Sequence, residues 1–95
     1  MSLADLLRKG RQAEQLMMDP LFLEAVQSVR TGIQAQIEDS DFSQADQRED
    51  AYRMLRALKA VTGQIEKHIR AAKGAEAEEQ EKLRAVKRVA EIRGK

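Results

Sequence analysis

One proline stands in 95 residues, and an aspartate precedes it. Asp19-Pro20 constrains the chain more than any other pair. Asp19 is a strong helix N-cap, and Pro20 suits the first helical position, where a missing N–H costs nothing. The residue before a proline is pushed out of the helical region, so one helix ends at Asp19 and another begins at Pro20. Everywhere else the chain is free of the residue that most reliably breaks helices.

The segments on either side carry helical spacing. Ser2 can cap a helix over about 3–17, with Asp5 in its first turn and Leu3, Leu6, Gly10, Ala13 and Met17 along one side. Gly10 weakens its centre by about 1 kcal/mol relative to alanine. A second helix is expected over 20–38, with Phe22, Val26, Val29, Ile33 and Ile37 as its stripe. Glu38-Asp39-Ser40-Asp41-Phe42-Ser43 favours a turn. Capping-box spacings follow at Ser43/Asp46 and Asp46/Glu49, with Phe42 placed as a hydrophobic staple.

A third helix is expected over 46–73. Met54, Leu58, Val61, Ile65 and Ala72 lie along one stripe, flanked by Ala51, Leu55 and Ile69, with coiled-coil-like steps. Met54, Leu58, Val61, Ile65 and Ile69 form the candidate self-association stripe. At 1.5 Å per residue this helix is about 45 Å long, whereas the second helix offers about 27 Å of cover. A chain of this length buries only about 60–65% of its surface on folding, so another subunit is the expected cover. In this core Val29→Asp or Leu58→Asp is expected to unfold the protein, each burying an unpaired charge. Gly74 is expected to end the third helix, and a fourth is expected over 76–93. The fold class is therefore all-α, a helical hairpin or bundle within a single domain over 1–95, with 75–95 a protruding charged tail.

Charge adds detail. The net charge is only +1, from 17 Lys plus Arg against 16 Asp plus Glu. Residues 74–81 hold four acids and no base, and a Glu78–Lys82 pair is expected across the junction with the tail. Residues 82–95 hold one acid and six bases. Lys82, Arg84, Lys87, Arg88 and Arg93 are candidate contacts for phosphate or an acidic partner; Arg84, Lys87 and Arg88 share a helix face. The competing reading is a helix whose acids and bases complement its own dipole. No aromatic residue interleaves these bases.

Composition narrows the chemistry. There is no Cys, no Trp and only three aromatics, which excludes disulfide scaffolds, thiol enzymes and Cys-based metal sites and argues against a β-sandwich. The one histidine, His68, edges the apolar stripe and has no catalytic neighbour at helical spacing. Asp39-Ser40-Asp41 lacks the later positions of a calcium loop. No phosphate-binding, dinucleotide, zinc-protease or nucleophile-elbow motif occurs. The expectation is a non-enzymatic protein with no catalytic or metal residues and no cofactor. With no signal segment or membrane span, it reads as cytoplasmic.

The pattern Ala13-Glu14-Gln15-Leu16-Met17-Met18-Asp19-Pro20-Leu21-Phe22, then Asp46-Gln47-Arg48-Glu49 and Leu55-Arg56-Ala57-Leu58, resembles short all-helical proteins of tailed phages and prophages. The likeness covers roughly Arg11 to Gly74. Gln36 and Ile37 stand where that family usually carries an aromatic, and Tyr52 stands near its second one. The resemblance implies a phage origin, with host cytoplasm or virion as the location, and no activity. The function expected is a helical homo-oligomer in virion assembly or DNA packaging, similar to a reduced small terminase. The alternatives are a small inhibitor or regulator that binds one host protein, and a cellular helical adaptor. The expected partner is the chain itself, with non-specific DNA contact or another phage or host protein beside it.

Overall fold

The computed structural model describes residues 1–94; Lys95, the last base of the tail, lies outside them. Three α-helices, α1 (Leu3–Met18), α2 (Pro20–Glu38) and α3 (Ala45–Arg93), are joined by one extended residue and by a loop containing a 3-10 turn, Phe42–Gln44. There is no strand among the described residues. The all-α hairpin with a long coiled-coil-like helix is the fold expected from the sequence.

The caps explain the first break. Ser2 Oγ accepts the Asp5 N–H at 3.2 Å and starts α1. Asp19 then serves two helices. Its N–H donates to the Leu16 carbonyl at 3.2 Å, and its carboxylate accepts the Phe22 N–H at 3.0 Å. Its backbone is extended, as the following proline requires.

Both α1 and α2 run antiparallel to α3. Gly10 lies against Ala72 and the His68 carbonyl. Ala13 and Leu16 border a groove with Ile65 and His68, and Met17 and Phe22 one with Thr62. Gln36 faces Met54 and Asp50 across the far groove. The hairpin thus has one arm broken at Pro20 and one unbroken arm.

Four expectations are corrected. The helices expected at 46–73 and 76–93 are a single helix of 49 residues. Ending a helix at Gly74 calls for a left-handed residue beyond its last turn, and no glycine of the described chain has positive φ. The alanines and glutamates after it carry the helix through. The cap of the loop is Asp41, rather than Ser43 or Asp46. Its carboxylate accepts the Ser43 N–H at 2.9 Å and the Ser43 hydroxyl at 2.6 Å, while Gln44 Oε1 accepts the Asp41 N–H at 3.0 Å. Phe42 is fully exposed and staples nothing. Val29 is 52% exposed, so an aspartate there buries no charge.

The seam of α3 is Ala51, Leu55, Leu58, Thr62, Ile65, Ile69 and Ala72, each buried or half-buried. Steps of 4 and 3 alternate without a fault, the heptad spacing of a coiled coil. Ala51 is fully buried and Ala72 nearly so, and Gly10 and Ala13 meet this seam from α1. A Cβ on Gly10 would collide with Ala72 Cβ and lie 3.2 Å from the His68 carbonyl oxygen. Glycine is needed there for the two backbones to approach.

Candidate interaction surfaces

The hairpin buries little. Among the described residues only Ala13, Ile33, Ala51 and Ala72 are buried apolar side chains, and no large side chain is fully enclosed. The chain exposes 7627 Å², where a compact protein of 10.7 kDa exposes about 5,500 Å². Its radius of gyration is 21.7 Å and its extents are 79 × 24 × 21 Å; a compact chain of this length has a radius near 12 Å. The excess of about 2,100 Å² exceeds the ~800 Å² per partner of a standard interface.

The two flanks of the hairpin differ in chemistry. On one flank Ala25, Val29 and Gly32 of α2 fall at helical spacing with Gln36, and Met54, Ala57, Val61 and Gln64 of α3 do the same. Gln36 and Met54 border the same groove, which places the two rows side by side. The eight residues of this central strip carry no charge, and Asp39 and Asp50 line the groove at its loop end. Val29, Met54 and Val61 stand out of it, with Val61 59% exposed. On the other flank Arg30 and Glu66 border the groove at Val26 and Thr62, and Lys59 and Lys73 lie one heptad from Glu66 on either side.

The expected self-association stripe therefore splits. Leu58, Ile65 and Ile69 are half-buried within the hairpin, while Met54 and Val61 remain in the uncharged strip. The sequence shows two overlapping heptad rows, and the inner one runs through Thr62 and two alanines, which do not announce themselves as core. His68 is exposed and borders one groove with Leu6, Lys9 and Lys67 and another with Leu16 and Lys9.

The loop between α2 and α3 is held by Arg48, which sequence reasoning missed. Its guanidinium donates to Ser40 Oγ at 2.9 Å and to the Asp41 carbonyl at 3.0 Å. Ser40 Oγ in turn donates to the Ile37 carbonyl at 2.6 Å. The Ser43 hydroxyl, ahead of the Ser43 N–H and the Arg48 charge, holds the Asp41 carboxyl below its ordinary range. This is a polar clasp that fixes the hairpin's closed end.

In the tail every residue from Glu76 to Gly94 is exposed. The expected Glu78–Lys82 pair is not formed. Glu81 instead pairs with Arg84 at 3.6 Å and Arg88 at 2.9 Å. Both pairs are more than half exposed, and such pairs contribute at most about 1 kcal/mol. Lys82, Lys87 and Arg93 have no ion-pair partner among the described residues.

Among the described residues no group of His, Asp and Glu is gathered closely enough to hold a metal ion. None of the described helices is long and apolar enough to cross a membrane. No known protein family, curated protein or solved structure matches the chain.

Proposed function

We propose that this chain is a structural self-assembly protein whose hairpins associate through the flank whose uncharged strip carries Val29, Met54 and Val61. The observation that supports this most is the surface the chain leaves bare: 7627 Å² with four buried apolar residues. Burying apolar area stabilises by about 25 cal/mol per Å², and a hairpin this thin reaches little of that alone. The central strip of that flank carries no charge and can be desolvated at small electrostatic cost, whereas the flank of Arg30, Lys59, Glu66 and Lys73 cannot. The small residues Ala25, Gly32 and Ala57 let a second helical layer approach closely.

In the phage setting that the sequence pattern resembles, such an oligomer serves virion assembly or DNA packaging. The role is non-enzymatic: it holds partners in register. Val61→Glu tests the assignment of the flank. The substitution puts a charge on an exposed position, so the hairpin keeps its helicity by circular dichroism. Light scattering on the intact chain should show the wild type as an oligomer and the variant reduced by the association step this flank mediates. An unchanged mass for the variant assigns assembly to another surface.

A further inference from the structure

The two ends of the molecule carry opposite charge beside bare apolar surface. With Gly10 at Ala72 and the helices antiparallel, Leu6 falls opposite Glu76 and Leu3, the first residue of α1, opposite Glu79. Past that point Leu83, Val86 and Ala90 continue the seam of α3 and are exposed, Leu83 by 56% and Val86 by 66%. The bases of this stretch divide by face. Arg84 and Arg88 turn away from the apolar row and pair with Glu81. Lys82, Lys87 and Arg93 have no ion-pair partner among the described residues. Each lies one turn from the row: Lys82 from Val86, Lys87 from Leu83 and Arg93 from Ala90. The open side of the tail is thus an apolar row rimmed by uncompensated positive charge. At the closed end of the hairpin, residues 38–50 hold six acids and one base. That base, Arg48, is bound into the clasp. The groove between α2 and α3 here has Ala35 and Met54 as its apolar lining and Asp39 and Asp50 as its charges. Asp39 has no ion-pair partner among the described residues, and Asp50 has only the exposed Arg53.

We propose that the tail of one copy docks in the closed-end groove of a second copy. The inference rests on the proposed self-assembly and adds to it a head-to-tail contact. The two surfaces match: each is apolar at its centre, and their charges are opposite. They cannot meet within one chain, because the groove lies at the start of α3 and the tail at its far end, in a molecule 79 Å long. At the closed end only α2 and α3 are packed together, and the docked tail supplies a third helix. Covering Leu83 and Val86 drives the contact, and the rim charges select the surface that covers them. A second tail is the poorer occupant, since it sets bases against bases. Duplex DNA would neutralise the bases and leave the apolar row bare. The four acids of residues 74–81 stay outside the acidic groove when the overlap begins at Lys82. An overlap over 82–93 is about 18 Å, so each added copy lengthens the assembly by about 60 Å. Every copy carries one tail and one groove, so the contact repeats and gives a ring or a filament.

The test uses full-length chains and light scattering. Val61→Glu closes the hairpin flank and isolates the head-to-tail contact; this protein should still exceed 10.7 kDa. Two variants in that background each remove one side. Leu83→Glu/Val86→Glu brings acids to the acidic groove, and Asp39→Lys/Asp50→Lys brings lysines to the basic tail. All four positions are exposed, so helicity by circular dichroism should be unchanged. Each variant alone should be monomeric at the same concentration. Mixing the two should restore a mass that neither reaches alone, because each supplies the end the other lacks. An association lost in the tail variant but kept in the groove variant sets tails against one another and overturns the docking. A mixture that stays monomeric also overturns it. A Val61→Glu protein that is already monomeric, from a wild type that is oligomeric, overturns the docking and leaves the hairpin flank standing. A monomeric wild type overturns both. Duplex DNA binding at low salt that is lost on Lys82→Glu/Lys87→Glu, with the Val61→Glu protein monomeric, makes the tail a phosphate-binding arm instead and overturns the docking.

Discussion

The two halves of α3 share one heptad repeat and differ in everything built on it. From Ala51 to Ala72 the repeat is covered by α1 and α2, and the seam is buried or half-buried. Beyond the first turns of α1, from Leu83 to Arg93, the same repeat lies open. The covered half is held by packing, including a glycine against an alanine, and the open half by local helix propensity and the exposed pairs of Glu81. A helix can therefore continue well beyond its core, but it leaves an apolar seam without a use inside the monomer. Function in this chain is to be sought where cover is missing.

The largest expected effect separates the halves directly. Ile33→Asp places a charge where the side chain is only 7% exposed, against the covered half. It should cost several kcal/mol and abolish the cooperative melt followed by circular dichroism. Val29→Asp, on the same helix but exposed, should keep the fold. Leu58→Asp remains expected to destabilise, since Leu58 is half-buried in the seam.

Gly10→Leu comes next. The new side chain drives α1 away from Ala72 and the His68 carbonyl. Overpacking of this kind costs about 1–3 kcal/mol. The melting temperature should fall although leucine is the better helix former. A rise would mean that α1 does not dock at Ala72.

Gly74→Ala probes the junction of the halves. Nothing lies within 4 Å of the added Cβ, and the residue is mid-helix. The substitution should stabilise by about 1 kcal/mol and raise the helical signal. A loss of helicity would restore a break at this glycine.

The smallest effect concerns the polar clasp. The folded-state pKa of Asp41 is depressed, chiefly by the Ser43 hydroxyl. Its contribution is present above the ordinary carboxylate pKa and fades as pH falls through the folded value. The acid limb of a melting-temperature profile should therefore be shallower in Asp41→Ala than in the wild type. Identical limbs would remove Asp41 from the clasp.

Local chemistry was legible in the sequence. Ser2, Asp19 and Pro20 announce their helix ends by residue type alone, and the Phe22, Val26, Ile33 and Ile37 stripe identifies the inward side of α2. What the sequence hides depends on distance in space. Gly10 reads as a weak helix residue until Ala72 is beside it. Gly74 reads as a stop, because its helical backbone is settled by the strong helix formers after it. Thr62, Ala51 and Ala72 read as filler until they are seen to form the seam, which displaces Met54 and Val61 to the surface. Arg48 reads as one base among many until the loop folds back to it. The tail's charge gradient is plain in the sequence, and its seam emerges only once α3 proves continuous.

Light scattering of the intact chain over a dilution series tests the central claim most directly. The account predicts a mass that is a multiple of 10.7 kDa at micromolar concentration and falls toward that value on dilution. A constant 10.7 kDa at every concentration would contradict it.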